Sequence, residues 1–430
     1  MRFYLFCFIF CFVTLAANAQ EESTLPTPHN YDYVYRNYIK SVRLYQFDSE
    51  MDYPIMELGS SNYFILEFDD MEAYTKDYSY KVIHCDANWN PSTEIDALDY
   101  IDGYQENRIY SGENSFSTKV PYVHYTIKLP NEDIKWTKSG NYLLKVYRDT
   151  DEEDLIITKR FMIVDTKMKA FPQSRRSATP PYASTHQELF FEIQHAGIDI
   201  GNPRDQVKIA VLQNGRWDNA ITDLEPTYIR NEAIGYDMSS KIMFPGYKEF
   251  RGLDLRSFRY RTQQVETLKE YEDGFELTLF QDRVRAYHPH VFTHDINGRF
   301  IIESKDYPEQ RLQEEYGLVN FSLHSNIPMQ GEVYLIGGLT DFRAKPEYKM
   351  TYNNKTFQYE LSVPLKNGFY DYYYAVVPDG EIANRIPDIE AIEGASFESE
   401  NDYMFLVYFR KFGGRYDELV AIQKHNTNPR

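Results

Sequence analysis

Apolar and polar residues alternate along most of this chain with a period of two, the spacing of strands whose successive side chains point to opposite faces. In one such run Tyr78, Tyr80, Val82 and His84 share a side, and in another Val123, Tyr125, Ile127 and Leu129 do. The pattern predicts strands over 42–47, 63–68, 78–83, 123–129, 142–147 and 160–164, and later over 187–194, 206–212, 275–280 and 299–302. Between them stand Asp102-Gly103, Asn214-Gly215, Asp273-Gly274, Asn297-Gly298, Asn367-Gly368 and Asp379-Gly380, pairs that accept the positive φ angles of tight turns. Helical periodicity is confined to short stretches near 305–315 and 385–394. The fold class this predicts is all-β.

So many short strands in 430 residues must divide among several sandwiches, because one sheet core does not grow that far. The expected order is a targeting segment at 1–19, an immunoglobulin-like β-sandwich at 20–165, a middle sandwich at 166–315 and a C-terminal sandwich at 316–430. Strand number and spacing in 20–165 suit the immunoglobulin-like arrangement. A Pro/Ser/Thr-rich stretch at 174–185, without apolar period, reads as the linker to the second sandwich, which 187–194 opens.

One stretch organises the first sandwich. The strand ending at His84 and Cys85 runs into Asp86-Ala87-Asn88-Trp89-Asn90-Pro91-Ser92, a cluster of turn formers that cannot continue a ladder. A tryptophan held in such a turn reads as a structural corner, with Trp89 packed into the first sandwich. His84 and Cys85 are neighbours on a strand and point to opposite faces, which defeats a Cys–His catalytic pair.

Composition refines this picture. Aromatic residues make up 16% of the chain and 38 of them are Tyr, whose amphipathic rings suit half-buried sheets and interfaces. With 46 basic against 65 acidic residues the net charge is −19, which disfavours nucleic acid and anionic membrane. Arg2 followed by an apolar run and Ala17-Asn18-Ala19 reads as a signal peptide cleaved after Ala19. Cys7 and Cys11 leave with it, so Cys85 stands alone in the mature chain as an inert buried thiol.

Candidate chemistry is sparse. His288, His290, His294 and Asp295 could be read as metal ligands, but Pro289 interrupts any strand that would align them. Asp295-Ile296-Asn297-Gly298 starts like a calcium loop and lacks the remaining ligand positions, so it reads as a turn. No nucleophile elbow, phosphate-binding glycine loop or zinc spacing occurs, and carboxylate pairs arise by chance in so acidic a chain. No catalytic, cofactor-binding or metal residues are assigned.

Taken together, the segments HCDANWNPS (84–92), YIDGY (100–104), SFST (115–118), YVHYTIKLPN (122–131) and SGNYLLKVY (139–147) resemble the plug protein family of the bacterial type IX secretion system. The resemblance continues through AVLQNGRWDN (210–219), DINGRF (295–300), VYLIGGLTDF (333–342) and GRYDELV (414–420). It implies a non-enzymatic periplasmic protein that occludes the periplasmic end of the outer-membrane translocon barrel. It further implies no cofactor, no small-molecule substrate, no nucleic acid and no direct membrane insertion. His84, Asp86, Trp89, Ser92, Gly103, Tyr125, Asn214, Gly215, Asn297 and Gly298 carry the likeness and are expected to be structural. Separately, residues 331–342 with Met350, Tyr359 and Tyr370 resemble starch-binding sandwich modules. Phe342 stands where those modules commonly carry Trp, and Trp89, Trp136 and Trp217 all lie upstream. A glycan-binding sandwich protein is the alternative reading.

Overall fold

A computed structural model of the protein describes residues 28–237, 241–308, 311–378 and 386–428. The signal peptide and the Asp379-Gly380 turn lie outside these residues. The described chain is dominated by strands, and its three α-helical segments have four residues each.

In the first sandwich, one sheet joins Tyr33–Val34, Leu155–Val164, Gly140–Arg148, Tyr78–Cys85 and Glu106–Ile109 in that order, with Ile55–Glu57 pairing parallel to Leu155–Val164. The facing sheet runs Ile39–Gln46, Phe64–Asp70, Val123–Leu129, Glu113–Asn114. Alternate residues meet between them: Tyr142, Leu144 and Val146 from one sheet, and Phe64, Leu66, Phe68, Tyr125 and Ile127 from the other. The opposite face of the first sheet is buried too. Leu143, Met162 and Val164 pack against Ala210, Leu212, Leu406 and Leu419 of the second unit. This explains the near-continuous apolar runs of Gly140–Arg148 and Leu155–Val164, which have no solvent face to keep polar.

The second unit departs from the expected boundaries. One of its sheets holds Lys169–Arg176, His186–Gln194, Ala233–Tyr236 and Tyr228–Ile229, and the other holds Val207–Gln213, Asp402–Phe409 and Glu418–Asn426. The last two strands of the chain therefore complete it, and Phe405 and Val407 share its core with Phe191, Ile193 and Ile209. Residues 316–430 do not close on themselves. The stretch 174–185 is likewise only partly a linker, since residues 174–176 end a strand paired with His186–Gln194. Pro172 fits that strand because it lies at the sheet edge, where one face of the ladder is unpaired.

The third unit is inserted between these halves. Arg251–Asp254, Gly368–Val377 and Phe300–Ile302, with Glu332–Ile336, form one sheet. Val265–Glu270, Phe275–Leu279, Tyr316–His324, Gln358–Lys366 and Thr351–Asn353 form the other. Its core gathers Leu253, Leu277, Phe321, Leu335, Tyr359, Tyr370 and Tyr374. The Gly-containing turns do varied work. Asp273-Gly274 closes an antiparallel hairpin, whereas Asn367-Gly368 carries the chain from one sheet to the other. Asn214-Gly215 makes no hairpin: Val207–Gln213 pairs with Asp402–Phe409, and its link to the next residues is a single bridge, Val211 to Ile221.

Candidate functional site

The residues singled out in the sequence fall mostly where the three units meet. At the corner, the Asp86 carboxylate accepts hydrogen bonds from the backbone N–H of Asn88 and Asn90, each at 2.9 Å, and Trp89 takes the left-handed conformation at φ +66°. His84 Nδ1 lies 2.8 Å from Ser92 Oγ, and its Nε2 lies 3.1 Å from the Ser139 carbonyl. Burial pushes the His84 pKa down to about 4, so the ring is neutral in neutral solution. Its edge meets Tyr142 and also Tyr416, from the C-terminal GRYDELV segment. The next residue, Asp417, accepts from the Ala87 backbone at 3.0 Å and from Lys208 and Arg410. The corner thus ties the first sandwich to the returning C-terminal strands.

Trp89 is buried, but the expected packing into the first sandwich core is corrected. It lies in the seam, edge-on to Trp217 at 5.1 Å, with the Arg160 guanidinium 4.3 Å from its ring. Both faces of the first sheet are covered, so the turn beyond Cys85 meets the second unit rather than the inner core. Cys85 points into the same seam, opposite to His84, and burial pushes its thiol up to about 12. Tyr125 and Gly103 stay within the first unit. The Tyr125 hydroxyl donates to the Lys76 carbonyl, and Gly103 pairs with Ile134.

The Asn214-Gly215 and Asn297-Gly298 turns converge on Asp402. Asn214 donates its backbone N–H to the Asp402 carbonyl at 2.7 Å and accepts the Asp402 N–H at 2.9 Å, while Asn297 Nδ2 reaches the Asp402 carboxylate at 3.1 Å. Gly215, at φ +69°, lies so close to Tyr53 that a Cβ would sit 1.7 Å from the ring. A Cβ at Gly298 would sit 2.5 Å from the Phe250 ring and 2.6 Å from that of Phe342. Neither position admits a side chain without movement. Beneath the second turn, the Asp371 carboxylate accepts from the backbone of Ile296 at 2.6 Å and Gly298 at 3.1 Å. Burial and the neighbouring Asp295 push Asp371 up to about 8, and burial pushes Asp295 up to about 6.

A third seam joins the first and third units through charge. Lys366 Nζ lies 2.7 Å from Asp69 and 3.2 Å from Glu314, with Lys366 1% and Asp69 0% exposed. Asp69 also accepts from the Tyr316 hydroxyl and contacts His124 Nδ1, both at 2.7 Å. Lys159 similarly bridges Asp341 of the third unit at 2.6 Å and Asp32 of the first at 3.4 Å. Where all three units meet lies a cavity of about 200 Å³, lined by Tyr53 and Arg160 from the first, Arg216 and Trp217 from the second, and Arg299 and Arg343 from the third.

Residues 39–165 match the family described as the type 9 secretion system plug protein 1st domain. Residues 39–165, the first sandwich, belong to the type IX secretion system plug family. A crystal structure of a hypothetical protein from Parabacteroides merdae is 30% identical, with a TM-score of 0.87 over 92% of this chain and 99% of that one. No curated protein matches the chain. Family membership associates the chain with components of the type IX secretion system and with the periplasmic, outer-membrane-associated compartment.

Other candidates in this plug-family chain are occupied structurally. His290 Nε2 lies 2.9 Å from Glu249, and His294 packs edge-on to Phe292. Phe342, at the position of the starch-module Trp, turns inward against Phe250 and lies under the Arg216 guanidinium. Of the seam residues, Asp341 fell within the VYLIGGLTDF segment, whereas Asp69, Lys366 and Lys159 carried no motif. The signal for Asp69 was a strand, Phe64–Asp70, that places Glu67 and Asp69 among apolar neighbours and is buried throughout.

Proposed function

We propose that this plug-family protein acts without catalysis, occluding the periplasmic end of the outer-membrane translocon barrel of the type IX system. One observation carries the reading: the three sandwiches are joined by buried side chains at every seam, so a load on one unit is passed to the others. Lys366 with Asp69, Trp89 with Trp217, and Arg216 with Phe342 are such joints. Steric occlusion asks for this property. A stopper whose parts swing independently leaks, whereas close-packed seams deform little. Size supports the same reading, since a compact chain of 430 residues has a radius of gyration of about 22 Å, a solid about 55 Å across.

Occlusion is a binding function, so losing the protein should leave the translocon open rather than dead. A deletion strain is expected to admit large antibiotics that the outer membrane normally excludes, while cargo secretion persists at least in part. Retention of the barrel protein in a gentle detergent pull-down checks the partner. Unchanged permeability, with the translocon present, overturns the reading.

A further inference from the structure

Three buried polar atoms on residues lining the junction cavity find no well-aligned acceptor among the described residues, and all three can donate: the Tyr53 hydroxyl, Arg216 Nη1 and Arg299 Nε, with Arg299 and Tyr53 meeting only each other. Buried polar groups are almost always paired, so three such donors at one cavity need an acceptor. The carboxylates around it are already committed. Asp32 and Asp341 serve Lys159, Asp218 holds Arg216, Glu50 serves Arg43 and Arg311, and Asp52 serves Lys424.

Cations are left over. Arg160 stacks on Trp89 and Trp217, and Arg343 lies 3.3 Å from the Tyr31 ring centre; no carboxylate among the described residues lies within ion-pair distance of either. Arg299 lies over the Tyr53 ring at 4.5 Å, with its closest carboxylate, Asp402, 3.9 Å away. A surplus of guanidinium groups against low-dielectric walls is costly unless an anion joins them, and it stands out in a chain whose net charge is −19. Exposed Glu50 and Asp52 on the lining show that the cavity reaches solvent.

The geometry points to a binding site for a small organic oxyanion at this junction. Arg299, Arg343 and the Tyr53 hydroxyl take its carboxylate or phosphate head, and its apolar body lies against Trp217 and Phe300. Guanidinium forks match both head groups in two-point geometry. The site adds a ligand to a chain expected to have no small-molecule substrate, and it stands whether or not the protein occludes a translocon. A ligand there touches all three units at once and would tighten their junction.

The test uses the mature chain, titrated at constant ionic strength with benzoate, phenyl phosphate and the neutral benzyl alcohol, with tryptophan fluorescence and thermal melting as readouts. Benzoate or phenyl phosphate is expected to saturate and raise the melting temperature, the two arms separating carboxylate from phosphate, while benzyl alcohol does neither. Arg343→Gln and Tyr53→Phe should each weaken that binding about tenfold, the loss of one hydrogen bond to a charged group. The Tyr53 hydroxyl meets only Arg299 in the free protein, so Tyr53→Phe should fold even if Arg343→Gln does not. No saturation by either anion below about 1 mM, equal binding of benzyl alcohol, or full affinity in Tyr53→Phe overturns the site.

Discussion

Replacing Lys366 by Met probes the charged seam between the first and third units with little change of volume. The ammonium is fully enclosed, 2.7 Å from Asp69 and 3.2 Å from Glu314, so its loss strands a carboxylate that water cannot reach. Burial alone raises the Asp69 pKa, but Lys366 and the His124 hydrogen bond outweigh it and hold the group at about 2, against 3.8 in the unfolded chain. That difference is about 2–3 kcal/mol of stability at neutral pH. Removing one partner of a buried pair costs somewhat more, about 3–5 kcal/mol, because the remaining charge also loses its compensation. The Tyr316 and His124 contacts to Asp69 survive, and Asp69 can escape by taking a proton, so about 3 kcal/mol is expected.

The sign with pH is fixed. A depressed carboxylate contributes its stability above the unfolded value of 3.8, and that contribution is lost as pH falls through about 2. The gap between wild type and Lys366→Met should therefore be full at neutral pH and narrow below pH 4. Scanning calorimetry should also show the variant melting in a broader or split transition, as the third unit uncouples from the first. A variant with the melting temperature and single transition of the wild type, or a gap constant from neutral to strongly acid pH, refutes the reasoning. The double change with Asp69→Asn should cost less than the sum of its parts.

Asp371 and Asp295 have the opposite sign: their pKa values are raised, so the stability they confer is present below about pH 4 and lost as pH rises through 8. Asp371→Asn should flatten that decline in melting temperature; curves parallel to the wild type from pH 4 to 9 would count against the buried pair. Gly215→Ala should destabilise by about 1–3 kcal/mol, measured by thermal melting, because a left-handed backbone and the Tyr53 ring both oppose a Cβ. Trp89→Ala should cost about 3–5 kcal/mol and open the seam, so that Cys85, inert to thiol reagents in the wild type, becomes modifiable. An equally inert thiol and unchanged melting in that variant would sink the packing role.

Much of the fold was legible in period-two alternation. The strand Val123–Leu129 was predicted to the residue, and Tyr78–Cys85, Phe64–Asp70 and Val207–Gln213 to within two at either end. Alternation tells which face of a strand is apolar but not which strand lies beside it. The pairing of Val207–Gln213 with Asp402–Phe409 therefore left no local trace, and the chain read as three consecutive blocks. The corner was legible because its turn is local, with Asp86 closing on Asn88 and Asn90. What covers Trp89 was not, since that depends on Arg160 and Trp217 from distant parts of the chain. Glu67 and Asp69 alternate with Leu66 and Phe68 along their strand, yet the side they share meets Arg43, Tyr316 and Lys366.

The insertion of the third unit between strands of the second has a mechanical consequence. Because Asp402–Phe409 and Glu418–Asn426 return to the second sandwich, the third unit is tethered there by two chain crossings rather than one. It is also held to the first by Lys366 and Lys159. A unit attached by one linker swings by default, while two crossings and two buried charge seams leave few free rotations. The signature residues fit this arrangement better than any chemistry. His84 and Asp86 organise the corner that Asp417 holds, and Asn214 and Asn297 meet at Asp402 as the chain re-enters the second sandwich. Such residues fix the relative positions of three sandwiches, which is what a protein working by shape must preserve.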